Sequence, residues 1–235
     1  MSELSRLSGV FFEPKKTFED IARRPTWLLP LILVIIFSLV GSFAISQRVG
    51  WERVVRQQVE SSSRAQQLSP EAKEQQIAMG AKFASIMAYG GSIVFVPIMY
   101  VIIAGVLLGV ASGMMSAGLK FKQVLSVVSW GWLPNLIKGV LMIVVMYMKN
   151  PDDFNMKNPL AFNLGAFLDP TTASKFLYSV ASSIDLFTIW AILLIAVGLK
   201  AGAGKKLSFG GAVFAVVLPW VIVVFAGGAM AGVFS

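Results

Sequence analysis

Five long apolar stretches constrain the fold of this chain more than any other feature. They cover about residues 27–46, 84–112, 124–148, 180–199 and 210–233, and each has roughly the twenty residues that a helix needs to cross the hydrocarbon core of a bilayer. A membrane β-strand would alternate apolar and polar residues, whereas "LLPLILVIIFSLVGSFAI" is apolar on every side. The sequence therefore predicts an all-α integral membrane protein, built as a bundle of five transmembrane helices.

The composition supports this prediction and excludes several kinds of catalysis. Only 14% of the residues are charged and 56% are hydrophobic, whereas a soluble domain has about 25% charged residues. The chain has no cysteine and no histidine, which removes disulfides, thiol nucleophiles, imidazole metal ligands and serine–histidine catalysis. We expect no enzymatic activity, no cofactor and no bound metal.

Residues 1–26 precede the first apolar stretch and have an amphipathic pattern. A helix that begins at Pro14 would separate apolar from basic residues. We expect a short interfacial helix with an apolar side facing lipid and a basic side facing water, formed respectively by Phe11, Phe18, Ile21 and Ala22 and by Lys15, Lys16, Arg23 and Arg24. Residues 27–235 would then form a single transmembrane domain, with outer segments at about 47–83 and 149–179.

The distribution of lysine and arginine predicts the orientation of the bundle. The first, third and fifth soluble segments carry ten of these residues in about 45 positions, and the opposite side carries nine in about 70 positions, offset by seven acidic residues. Because cytoplasmic loops are enriched in basic residues, we expect the N-terminus inside and the C-terminus outside. The net charge of +8 lies near the span ends, where lipid headgroups explain it better than nucleic acid does, so we expect no nucleic-acid partner.

Two ionisable residues, Lys138 and Asp185, lie inside predicted spans. A charge at mid-span costs about 2.5–3.5 kcal/mol, so we expect the ammonium and the carboxylate to pair within the bundle. Helical spacing would place Asn135 on the face of Lys138, and Ser182 and Thr188 on the face of Asp185. These five residues form a candidate intramembrane polar site, which is either a structural ion pair or a functional site on a water-filled pathway.

Gly105, Gly109 and Gly113 recur at spacings of four in the second apolar stretch. Small residues at this spacing permit close contact between membrane helices. We expect helix packing at these positions, either within the chain or as a dimerisation face. An intramembrane hydrolase that combines Lys138 with Ser126 or Ser129 is disfavoured, because neither serine lies one helical turn from the lysine.

Four phrases together resemble the bacterial branch of the Yip1 family of five-span membrane proteins: "FFEPKKTFEDIARRPTWLLPLIL", "GLKFKQVLSVVSWGWLPNLI", "NPLAFNLGAFLD" and "SSIDLFTIWAILLIAVGL". The resemblance implies a cytoplasmic N-terminus, five helices and no known enzymatic activity. It places characteristic family positions at Arg24, Pro25, Trp27, Pro134 and Trp190. The Rab-linked trafficking role of eukaryotic relatives is not expected here, because the long N-terminal region of those relatives is missing.

The sequence thus favours a non-enzymatic protein of a bacterial cytoplasmic (inner) membrane that organises or binds membrane components through its helical bundle. Its expected partners are membrane lipids, other membrane proteins or a second copy of the chain. The alternative is a small transporter or channel that uses the polar site around Lys138 and Asp185. Prolines within three spans, at 97, 134 and 219, also suggest this alternative.

Overall fold

The computed structural model describes residues 1–60, 68–151, 154, 158–169 and 172–233. Within these residues, ten α-helices are joined by turns, short 3-10 segments and one π-helical segment, Gly109–Met114. The helices are α1 (Glu3–Phe12), α2 (Pro14–Arg23), α3 (Leu28–Arg48), α4 (Trp51–Glu60), α5 (Pro70–Leu108), α6 (Phe121–Gly131), α7 (Pro134–Met148), α8 (Lys175–Ser183), α9 (Leu186–Ala203) and α10 (Phe209–Val233).

Five helical stretches are long and apolar enough to cross a membrane. They are Leu28–Arg48, Pro70–Met114, Phe121–Met148, Leu186–Lys206 and Phe209–Gly232. The part of the chain that the structure describes contains no β-strand, only an isolated bridge. The predicted all-α, five-span membrane architecture is therefore confirmed, while the position of the N-terminus on the inner side stays a prediction.

The second span belongs to a helix that starts well before its apolar stretch. The hydroxyl of Ser69 accepts a hydrogen bond from the backbone N–H of Ala72 at 3.3 Å, and Pro70 occupies the first helical position. Both are favourable choices at a helix start, because a capping oxygen satisfies a free N–H and proline has no N–H to leave free. α5 consequently runs without a break from the outer segment into the span.

The third span is interrupted near its middle. α6 ends at Gly131, Trp132 and Leu133 form a turn, and α7 begins at Pro134. Proline is tolerated in the first turn of a helix but disrupts a helix interior, because it cannot donate a main-chain hydrogen bond. Asn135 therefore lies in the first turn after this break.

The fourth span starts later than the sequence predicted. α8 ends at Ser183, and α9 begins only at Leu186, because the backbone of Asp185 is extended. The expectation that Ser182 and Asp185 share one helical face is wrong. Asp185 is the N-cap of α9, a position that requires non-helical backbone geometry.

The chain divides into two compact units that each combine parts of several spans. The first contains residues 1–34, 96–137 and 185–225, and the second contains residues 35–95, 138–184 and the end of α10 from residue 226. In the second unit, α4 turns Val55 and Val59 towards Ile77 of α5. A separate cluster there buries Met146 and Phe154.

In the first unit, the N-terminal helices are packed into the protein. Phe18 and Ile21 of α2 have no exposed surface, and α2 packs chiefly against α9 and also against α1 and α6. The expectation that these two residues face lipid is wrong. The reason is Gly198 of α9, where the missing side chain leaves space for the Phe18 ring; a Cβ atom at Gly198 would lie 2.8 Å from Cδ1 of Phe18.

Candidate functional site

Asp185 holds the first turn of α9. Its Oδ1 accepts hydrogen bonds from the backbone N–H groups of Phe187 and Thr188 at 3.0 and 3.1 Å, and its Oδ2 accepts one from the Thr188 hydroxyl. The residue is only 4% exposed, so these N–H groups have little access to water. Unsatisfied N–H groups in an apolar setting are costly, and capping them explains a carboxylate at the start of an apolar stretch.

Asn135 and Ser182 each have a described contact within their own unit. The Asn135 amide donates a hydrogen bond to the carbonyl oxygen of Trp132 at 3.4 Å. Ser182 lies on α8 against Gly165, where no space remains for a Cβ atom. The structure thus brings Thr188 together with Asp185. Lys138 lies on α7 in the second unit, and its predicted ion pair with Asp185 stays a prediction.

Arg6 forms the densest polar network of the first unit, and sequence reasoning missed it. Its Nε and Nη2 donate to Oδ2 of Asp20 at 2.9 and 2.7 Å, Nη1 donates to the Thr26 hydroxyl at 2.7 Å, and Nη2 donates to the carbonyl oxygen of Arg24 at 3.1 Å. The residue is 2% exposed. The sequence contains one indication of this burial. Arg6 is four residues from Val10, and this helical spacing puts the charge on the same face of α1 as an apolar residue.

Asp20 completes this network from α2. Its Oδ1 accepts a hydrogen bond from the N-terminal ammonium at 3.1 Å. Burial acts to raise the pKa of Asp20, but the hydrogen bonds and positive charges of Arg6 and of the N-terminal ammonium outweigh it and hold the pKa below its usual value. The carboxylate is therefore ionised at neutral pH and ties α1 to α2.

The segment between α2 and α3, which contains the predicted family positions Arg24, Pro25 and Trp27, is anchored by α6. The indole N–H of the fully buried Trp130 donates to the carbonyl oxygen of Thr26 at 2.8 Å. The Gln123 amide donates to the carbonyl oxygen of Ala22 at 3.1 Å. These bonds fix the path of the chain as it leaves α2 and starts the first span.

Trp190, a further predicted family position, packs against α1. Its ring meets that of Phe11 edge to face, with 5.4 Å between the ring centroids and an interplanar angle of 69°. Aromatic pairs favour this geometry because the positive edge of one ring meets the negative face of the other. The contact joins the end of α1 to the first half of α9.

The glycines of α9 make close contacts, whereas the glycines that were predicted to pack from their spacing do not. A Cβ atom at Gly198 would lie 2.5 Å from Cγ1 of Val127, and one at Gly202 would lie 2.7 Å from Cδ2 of Leu119. At Gly105, Gly109 and Gly113, by contrast, a Cβ atom would meet nothing within 4 Å in the described part of the chain.

A groove of about 510 Å³ lies beside the start of α3 in the first unit. Trp27, Leu28, Leu29 and Ile32 form an apolar part of its wall, and the charged side chains of Glu3 and Lys122 line it as well. We call it the Trp27 groove. It offers one cation and one anion next to an apolar surface.

Comparisons with known proteins agree with the fold. A family model described as the Yip1 domain matches residues 8–230. The chain is 25% identical over 226 residues to "Membrane protein YknW" of Bacillus subtilis (strain 168), a match that covers 95% of this chain and 89% of that protein. No solved structure matches the chain significantly.

Proposed function

Because the chain belongs to the Yip1 family, we propose that it is a non-enzymatic integral membrane protein that binds or organises membrane proteins or lipids through its helical surfaces. We further propose that it resides in the cytoplasmic (inner) membrane of a bacterium. The match to a bacterial membrane protein over nearly the whole chain supports this location.

The observation that carries the proposal is a row of exposed glycines, which begins in α5 and continues into the π-helical segment that follows it. Gly105, Gly109 and Gly113 are all exposed, whereas Ala104 and Ala111, on the other side, have no exposed surface. One face of this segment therefore packs into the protein, and the glycine face stays open. Exposed small residues let a second helix approach closely in a membrane, where van der Waals packing drives association.

The environments of the two buried serines support a role without catalysis. The hydroxyl of Ser126 donates to the carbonyl oxygen of Lys122, and that of Ser129 donates to the carbonyl oxygen of Leu125, both at 2.8 Å. Each hydroxyl proton is thus directed into its own helix. A serine nucleophile needs a base to take this proton, and neither hydroxyl donates to one.

Site-specific photocrosslinking in native membranes tests the proposal. A benzophenone amino acid at Ile102, which is 49% exposed next to the glycine row, should capture a reproducible neighbouring membrane protein. The same probe at Val223 on α10, which is 69% exposed, is the matched control for general lipid contact. Gly109→Leu should remove the Ile102 product, because its side chain would fill the space that a partner helix needs.

The two probe positions also define the result that would count against this role. If Ile102 and Val223 gave the same products, and Gly109→Leu changed neither, the glycine face would have no partner helix. Gly109→Leu is suitable for this test because the added side chain starts in open space. The variant should therefore fold, and thermal unfolding in detergent checks that it does.

A further inference from the structure

The Trp27 groove has walls of two chemical kinds. Leu28 and Ile32, on the first turns of α3, are exposed by 55% and 41%, and they line the groove together with Trp27. Glu3 comes from the first turn of α1 and Lys122 from the first turn of α6. Charged groups thus lie beside the start of a membrane-spanning helix, where polar headgroups give way to hydrocarbon.

Neither charge of the groove is neutralised within the described part of the chain. The side chains of Glu3 and Lys122 form no hydrogen bond or ion pair there, although both line the same groove. Arg6 and Asp20 behave differently, since they satisfy each other at 2.7 Å. The groove therefore presents a free cation and a free anion that are not within ion-pair distance of each other.

We propose that the Trp27 groove binds the headgroup of phosphatidylethanolamine, an inference that deepens the lipid-binding part of the proposed function. The Lys122 ammonium contacts the lipid phosphate, and the Glu3 carboxylate accepts hydrogen bonds from the ethanolamine ammonium. The acyl chains follow the apolar wall along Leu28 and Ile32. Hydrogen bonds between ionised partners are stronger than neutral ones, so the two contacts together favour a ligand that carries both charges.

The presence of Glu3 distinguishes this lipid from others. Phosphatidylglycerol would offer a phosphate to Lys122 but no cation to Glu3, whose carboxylate would repel it. Phosphatidylcholine has a cation without N–H donors and could not hydrogen-bond to the carboxylate. A free phosphate would leave the apolar wall uncovered. Phosphatidylethanolamine matches the cation, the anion and the apolar surface at once.

Native mass spectrometry of the full chain, titrated with lipids that share the same acyl chains, tests this inference. We expect more phosphatidylethanolamine adducts than phosphatidylcholine or phosphatidylglycerol adducts. Glu3→Gln should reduce phosphatidylethanolamine binding by about tenfold and leave phosphatidylcholine unchanged, whereas Lys122→Gln should weaken both. Lys15→Gln is the matched control, because it removes the same charge from α2 outside the groove.

Equal binding of the three lipids, a preference for phosphatidylglycerol, or a phosphatidylethanolamine preference that survives Glu3→Gln would overturn the inference. Thermal unfolding of each variant shows that it remains folded. The Ile102 crosslink is an independent readout. If it persists while the lipid preference is absent, only the groove assignment fails, and loss of the crosslink with an intact lipid preference affects only the proposed partner helix.

Discussion

α9 and α5 are both apolar, glycine-containing membrane helices, yet they have opposite surroundings. In the most apolar 18 residues of the α9 span, half of the residues are buried in the protein. In the longer and more apolar span that contains α5, only 17% of the corresponding residues are buried. The apolarity of a helix therefore does not indicate whether it is buried in the protein, because lipid surrounds a leucine side chain as favourably as a neighbouring helix does. Close contacts at glycines do indicate it. Gly198 of α9 lies against Phe18, whereas a Cβ atom at Gly105 of α5 would meet nothing within 4 Å in the described part of the chain.

The largest expected effect concerns the ion pair between Arg6 and Asp20, which joins α1 to α2. Asp20→Asn would leave the buried Arg6 guanidinium without its anion, and the free energy of unfolding should fall by about 3 kcal/mol. Unfolding in mixed detergent micelles measures this change. Glu13→Gln, which breaks the exposed pair with Lys16, is the control and should leave stability unchanged. Equal stability of both variants would show that the pair of Arg6 and Asp20 does not stabilise the protein.

A matched pair of alanine substitutions tests the comparison of the two helices directly. At Gly198, the new methyl group would lie 2.5 Å from Val127 and 2.8 Å from Phe18, so Gly198→Ala should lower the free energy of unfolding by about 1–2 kcal/mol. Gly105→Ala should cause no loss, because nothing described lies within 4 Å. A loss at Gly105 equal to that at Gly198 would remove the distinction between α5 and α9.

A smaller effect is expected at the start of α9. Asp185→Ala removes the cap and should cost about 1 kcal/mol, whereas Asp185→Asn keeps an acceptor oxygen for the backbone N–H groups. The difference in unfolding free energy between the two variants measures the cap. If alanine and asparagine were equally tolerated, the hydrogen bonds to Phe187 and Thr188 would contribute nothing.

The same position tests the predicted ion pair. Asp185→Asn and Lys138→Met should each destabilise the protein, and the double variant should recover much of the loss if the two charges interact. Strictly additive losses would reject the pair. The transporter alternative, which depends on this pair, also stays a prediction.

The smallest effect is expected from pH. The pKa of Asp20 is lower in the folded protein than its unfolded value of about 3.8, so its stabilisation is present above that unfolded pKa and is lost as pH falls through the folded pKa. The stability difference between the wild type and Asp20→Asn should therefore be constant from about pH 7 to 5 and decrease only below about pH 4. A difference that decreased between pH 7 and 5 would contradict this assignment.

Much of the fold could be predicted from local sequence, because length, hydropathy and capping residues act over short distances. The five spans, the start of α2 at Pro14 and that of α5 after Ser69 are of this kind. The break before Asp185 was missed because an aspartate within an apolar run suggests a buried charge before it suggests a cap. The contacts of a glycine depend on its tertiary neighbours. Spacing alone therefore predicted packing at Gly105 and not at Gly198.

The candidate site was less predictable. Arg6 was counted only as one more basic residue near a span end, since its partners Asp20 and Thr26 are fourteen and twenty residues away. Likewise, Glu3 and Lys122 come from distant parts of the sequence and are brought together only by the packing of α1, α2 and α6. Such constellations follow from tertiary structure and leave no periodic signal.

Disulfide formation tests most directly the packing of α2 against α9, on which the described structure of the first unit depends. The chain has no cysteine, and a Cβ atom at Gly202 would lie 4.0 Å from that of Ala22, within the range that a disulfide bridges. Ala22→Cys combined with Gly202→Cys should crosslink spontaneously in oxidised membranes, whereas Ala22→Cys with Gly105→Cys should not. Absence of the first crosslink in folded protein would show that α2 lies elsewhere, such as on the lipid surface.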